Sequence, residues 1–203
     1  MRSLVLLDGG IQSTFLAVEA AKESETLLLF IDHGQESLEG EWDAASATAN
    51  FCNSKLMSVR TEGFPPLEGL FKVLCLVLHA MPVARKERCR VIYHGLDKDD
   101  IPMYTDPNTS EEFIEHLCSL LNLAYPKYDK RGIWLGDIRV EMPLRMLHLG
   151  QIIRLGNEWE IPWVETRSCI RQSKLHCGVC AGCVKRKEAF TKEGSVDPTT
   201  YRN

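Results

Sequence analysis

Four cysteines within fifteen residues, Cys169, Cys177, Cys180 and Cys183, constrain this chain more than any other feature. One cysteine is followed by seven residues and then by Cys-x-x-Cys-x-x-Cys. A Cys-x-x-Cys turn presents two sulfurs to one ion, and a distant cysteine closes the shell, so the spacing predicts a closed tetrahedral site for a structural Zn²⁺. Four thiolates on one zinc leave a net charge of about -2. Lys174, His176, Lys185, Arg186 and Lys187 are near enough in sequence to offset it. His176, next to Cys177, is a further candidate ligand, although four sulfurs already complete the shell. An iron–sulfur cluster also takes four cysteines, and spacing alone leaves that alternative open. Disulfides fit a secreted chain, and no secretory signal is legible: the run Val5-Leu6-Leu7 stops at Asp8-Gly9-Gly10. A cytoplasmic location is expected. Cys52, Cys75, Cys89 and Cys118 are scattered and read as small buried thiols.

Upstream of the cysteines, short apolar runs alternate with longer stretches of helical period. Ser3 to Leu7 reads as a strand, Thr14 to Lys22 as a helix, and Thr26 to Ile31 as a strand buried on both faces. A weak helix from Glu36 to Phe51, a strand from Leu56 to Val59 and an apolar helix from Leu67 to Leu78 follow. Val91 to Tyr93 is a fourth strand, entering an acidic loop from Gly95 to Ser110. Ser110 is placed to cap a helix from Glu111 to Leu123. Ile138 to Met142 is extended, and Leu144 to Leu155 returns to helix. This alternation predicts an α/β fold, a mostly parallel sheet with helices on both faces. The expected organisation is a Rossmann-like body over residues 1–165, a zinc segment over 166–193 packed on it, and a loose tail over 194–203.

With 24 Lys and Arg against 28 Asp and Glu, the formal net charge is -4. Broad binding to a nucleic-acid backbone needs clustered basic residues and is not expected. The longest apolar stretch, Val73 to Ala84, holds His79 and Pro82 and falls short of the ~20 residues of a spanning helix, so no membrane partner is expected. A local site for a nucleobase or nucleotide remains compatible with the composition.

The segment Ser168-Cys169-Ile170, then Lys174 through Cys177-Gly178-Val179-Cys180-Ala181-Gly182-Cys183 to Phe190, closely resembles the C-terminus of the 7-cyano-7-deazaguanine synthase family. Asp32-His33-Gly34-Gln35 is similar to that family's Asp-Tyr-Gly-Gln. Asp100, Tyr104-Thr105-Asp106 and Glu112-Phe113 resemble its acidic substrate loop. Arg139, Pro143 and Leu144 resemble its Arg-x-x-x-Pro-Leu segment. The resemblance implies a Rossmann-like adenine nucleotide hydrolase fold with a zinc knot. It also implies ATP and Mg²⁺ as cofactors, and the conversion of a carboxyl-deazaguanine first to the amide and then to the nitrile. Asp8, Gly9, Gly10, Gln12, Ser13 and Gln35 would form the nucleotide side, and Asp100, Tyr104 and Asp106 would bind a deazapurine- or nucleotide-like molecule.

The nucleotide side departs from the pattern. Ser-Gly-Gly-x-Asp-Ser reads here Asp8-Gly9-Gly10-Ile11-Gln12-Ser13. A carboxylate 4 Å from a phosphate charge repels it by about 4 kcal/mol at an effective dielectric of 20. The family's Gly-Arg-Asn finds no match around Pro65 to Phe71, and its lysine after Pro-Leu falls near His148-Leu149. Two functions follow from the residues. One is an ATP-dependent ligase-like enzyme with altered chemistry. The other is a binding or regulatory subunit on the same scaffold, with a protein partner or a second copy of itself.

Overall fold

Continuous burial along the first two apolar runs builds the centre of the molecule, a computed structural model describing residues 2–61, 69–100, 107–133 and 136–202. In β1 (Arg2–Leu6) and β2 (Glu25–Asp32), Leu4, Leu6, Leu27 and Leu29 point to one face, and Val5, Leu28 and Phe30 to the other. Both faces are buried, which is why these runs are continuously apolar. With β3 (Lys55–Arg60), β4 (Val91–Tyr93) and β5 (Arg139–Glu141) they form a parallel sheet in the order β3-β2-β1-β4-β5.

Helices α3 (Gly69–Lys86) and α4 (Pro107–Ala124) cover the first face through Val77, Ala80, Met81, Leu117 and Leu121. The second face carries α1 (Ile11–Glu23), α2 (Leu38–Phe51), α5 (Leu149–Glu158) and α6 (Ala181–Lys192). The α/β fold expected from the pattern is present, with boundaries shifted. Helix α3 runs past Leu78 and through Pro82. Burial of Met81 and Ala84 on the sheet holds its last turns despite the N–H that the proline lacks. Ser110 lies inside α4 rather than capping it, because the helix already begins at Pro107, and proline suits a first helical position. After Pro143 the chain makes a short 3-10 turn, Pro143–Met146, before α5 begins at Leu149.

Within 194–203, expected from the sequence to be a loose tail, Asp197, Tyr201 and Arg202 bond to the cysteine segment and its neighbours. The fully buried Arg186 donates to Asp197 at 3.1 Å, to Thr166 Oγ1 at 2.7 Å and to the Trp163 carbonyl at 2.7 Å. A buried guanidinium needs such partners, and Asp197 of the terminal segment supplies the counter-charge. Tyr201 donates its hydroxyl to Asp197 at 2.5 Å, and Arg202 N–H bonds the His176 carbonyl.

Candidate functional site

The strand order reverses between β1 and β4, and ligands bind parallel sheets in the crevice beyond the carboxyl ends at such a point. A cavity of about 300 Å³ opens there, lined among others by Asp8, Gln12, Ser13, Gln35 and Asp100. Five of the residues assigned to a ligand from the sequence therefore face one space. Gly9 and Gly10 form the loop beneath it. Gly9 has φ +77°, and a Cβ there would come within 2.5 Å of Ala44 Cβ in α2, so only glycine fits. Tyr104 and Asp106 lie outside the described residues.

At the N-terminus of α1 the loop bonds its own side chain. Asp8 Oδ1 accepts the Gly10 N–H at 2.9 Å and the Ser13 hydroxyl at 2.5 Å. Free N–H groups and the helix dipole favour an anion at this position. The Asp8 carboxylate is that anion.

Gln12 has a different role. Its amide donates to Asp97 Oδ2 at 3.0 Å and to Asp100 Oδ2 at 3.4 Å. Lys185, from α6, reaches the same pair, 3.1 and 3.2 Å from the two Asp97 oxygens and 2.6 Å from Asp100 Oδ1. Asp97 is completely buried. Burial and then the charge of Asp100 push its carboxyl up to about 6, against the pull of Lys185. From sequence, Lys185 is a counter-charge for the thiolates; its ammonium instead serves two carboxylates after β4. The position of the family's lysine after Pro-Leu holds His148, bonded through Nδ1 to Asp99 at 2.6 Å. Asp99 also accepts the Leu149 N–H at 2.8 Å and so caps α5. Burial raises the Asp99 carboxyl, but these two bonds outweigh it and hold it below the usual range.

On the other side of α6, the sulfurs of Cys169, Cys177, Cys180 and Cys183 all lie within 4.8 Å of one another. The Cys177–Cys183 and Cys169–Cys180 separations are 4.0 Å, against the ~3.8 Å edge of a tetrahedron with 2.3 Å metal–sulfur bonds. The donor set therefore fits a metal ion. Cys180 caps α6 and Cys183 falls in its first turn, so the positive end of the helix faces the sulfurs. Cys177 N–H points to Cys169 Sγ at 3.4 Å and Cys180 N–H to Cys177 Sγ at 3.3 Å. The Val179 N–H leads the effects that bring the Cys177 thiol down to about 6. Gly182 allows the close approach, since a Cβ there would meet the Ser168 carbonyl at 2.0 Å. His176 is outside the cluster, its ring edge-on to Tyr201 and its Nδ1 buried with no partner among the described residues.

Sequence reasoning placed His33 and His94 at strand ends, where such sheets bind ligands, and both line the cavity; it missed Glu41 and Lys72. Glu41, from α2, accepts from Gln35 at 2.9 Å and Ser37 at 2.5 Å. Lys72, from α3, also lines the space. Lys72 directly follows Phe71, and its place on the helix gives no sign in the sequence that it faces the ends of β1 and β2.

The family model described as "Queuosine biosynthesis protein QueC" matches residues 71–194. A 7-cyano-7-deazaguanine synthase of Nitratiruptor sp. is 27% identical over the whole of both chains. Another, from Koribacter versatilis, is 29% identical over 98% of this chain and 93% of its own. Among solved structures, a predicted tRNA methyltransferase subunit of Methanocaldococcus jannaschii has a TM-score of 0.52 at 16% identity, covering 100% of this chain and 93% of its own. NMN synthetase of Francisella tularensis has 0.53 at 14%, covering 96% and 77%. At these identities the two structures bear on the fold alone.

Proposed function

The chain belongs to the queuosine biosynthesis protein QueC family, and on that premise we propose that it binds a 7-deazaguanine in the cavity beyond β1, β2 and β4. The associated chemistry is the ATP-dependent conversion of 7-carboxy-7-deazaguanine to 7-cyano-7-deazaguanine. The observation that carries this reading is convergence: the segments of Asp8 to Ser13, His33 to Gln35 and Gly95 to Asp100 surround one space. Asp100 and Asp106 supply carboxylates able to accept from the two N–H donors of a guanine-type edge, and Tyr104 a ring able to stack on the base. We assign zinc to the four-cysteine cluster, in a structural role, because four thiolates at tetrahedral spacing make a closed shell. In this reading residues 1–165 are the Rossmann-like body and 166–193 the zinc segment packed on it.

One observation favours the non-catalytic reading of the same site. Asp8 already fills the donors of Gly10 and Ser13 that a pyrophosphate would use. ATP must then displace an internal carboxylate and tolerate its charge, so the ligand-binding half operates without efficient ATP activation.

The test combines calorimetry with turnover. The zinc-loaded protein is titrated with 7-carboxy-7-deazaguanine, then incubated with it, ATP, Mg²⁺ and ammonium while pyrophosphate and nitrile are followed. Binding without pyrophosphate release is the expected result. Turnover would establish the enzyme reading, and absence of both binding and turnover would remove the deazaguanine assignment.

A further inference from the structure

We propose that Lys185 is a positioning residue of the ligand cavity and that, through it, occupancy of the four-cysteine site sets how tightly the cavity binds its ligand. The deazaguanine reading supplies the probe for this inference; the connection between the two sites rests on the fold itself.

The connection begins at the sulfurs. Cys180 is the N-cap of α6 and Cys183 lies in its first turn, which the Val184 N–H closes on the Cys180 carbonyl at 2.9 Å. Two of the four metal donors thus belong to the start of the helix, so filling the shell fixes that turn. Lys185 stands two residues beyond Cys183, about 3 Å along the helix axis. Its ammonium turns away from the cysteines and reaches Asp97 Oδ1 at 3.1 Å and Asp100 Oδ1 at 2.6 Å.

The two carboxylates close a small loop after β4. Asp100 N–H donates to Asp97 Oδ1 at 2.9 Å, and Lys98 N–H donates to the Leu147 carbonyl at 2.9 Å. Asp97 is completely buried, whereas Asp100 lines the cavity. Gln12 joins the pair to the glycine loop, donating to Asp97 at 3.0 Å and to Asp100 at 3.4 Å. Gly95 permits this close approach: a Cβ on it would meet Ser13 N at 3.1 Å and Gln12 Cβ at 3.2 Å. From the cysteines through α6, Lys185 and the two aspartates, bonded groups run without a gap to the cavity wall.

The charge on Lys185 is what makes this path transmit. Two carboxylates side by side repel, and the ammonium between them holds Asp100 beside Asp97 and in place on the cavity. A loosened start of α6 withdraws that ammonium. A ligand that uses Asp100 then binds the loaded state more tightly, and by linkage it strengthens metal binding by the same factor.

Zinc affinity is measured by equilibrium competition with a chelator, with and without saturating 7-carboxy-7-deazaguanine, in the wild type, Lys185→Met and Lys185→Arg. The base should raise zinc affinity about fivefold or more in the wild type and Lys185→Arg, and less than about twofold in Lys185→Met. Lys185→Met combined with Asp97→Asn, which removes the unpaired buried charge, stands in if the single variant does not fold. A base effect equal in all the proteins, or none in the wild type although the base binds, overturns the proposal. If the base does not bind the wild type, the deazaguanine reading falls, and amide hydrogen exchange is followed in the loaded and chelated protein instead. Exchange at Lys98 and Asp100 that quickens on chelation while the β1 amides stay protected, and is already quick in loaded Lys185→Met, sustains the coupling. Unchanged exchange at those amides, or protection lost throughout the chain, overturns it.

Discussion

Lys185 Nζ stands 2.6 Å from Asp100 Oδ1, joining the helix that begins at the cysteine cluster to the acidic segment beyond β4. The same ammonium meets the fully buried Asp97. The metal-side helix and the ligand-side loop are thus one electrostatic unit, with Gln12 of the glycine loop as its neutral member.

Lys185→Met removes the cation and leaves Asp97 buried with a second carboxylate beside it. Breaking a buried pair in this way costs about 3–5 kcal/mol. The cost at pH 7 should exceed that at pH 5, because Asp97, already pushed up to about 6, escapes its penalty by taking a proton. Urea unfolding at the two pH values measures this. Equal losses would mean that Lys185 acts by packing alone.

Asp8→Ser releases the Gly10 N–H and the Ser13 hydroxyl, so ATP affinity should rise from a Kd weaker than ~1 mM, about 4 kcal/mol of binding, by tenfold or more. Adding Gln12→Asp places a third carboxylate against Asp97 and Asp100 and should lower the melting temperature. Calorimetry with and without Mg²⁺ and a thermal melt decide both. Tight ATP binding by the wild type contradicts this account of the loop.

His94 should stay neutral to about pH 4, because burial outweighs the opposing pull of Asp8. A histidine of unfolded pKa near 6.5 and folded pKa near 4 binds fewer protons folded, so its contribution is complete above 6.5 and falls as pH drops toward 4. Asp97 has the opposite sign: from its ordinary 3.8 to about 6 the folded state binds more protons, and its contribution falls as pH rises. The two slopes offset each other in whole-protein stability. The imidazole titration by NMR is therefore the measurement, and Lys72→Met should move its midpoint upward.

The purified protein should carry one equivalent of zinc. Cys180→Ala should lose it together with several kcal/mol of stability, since structural metal binding is itself folding free energy. His176→Ala should retain the metal, because that ring faces Tyr201 rather than the sulfurs. Elemental analysis finding iron, or folded protein without metal, would refute the assignment.

The sequence alone determined the parallel α/β architecture and the four-cysteine cluster, for the same physical reason. Both are local patterns: an apolar run such as Thr26 to Ile31 must be buried on both faces, and Cys-x-x-Cys spacing brings sulfurs together within one turn. It also located Asp8, Gln12, Ser13, Gln35 and Asp100, which face one cavity. Tertiary structure alone decided where charged side chains go. Lys185 lies two residues from Cys183, yet bonds Asp97 and Asp100, some 85 positions away. The terminal segment docks because Asp197 meets the buried Arg186, and α3 carries Lys72 to the cavity while continuing through Pro82. Long charged side chains can reach in many directions, and which one they take is set by the uncompensated buried charge that folding places within reach.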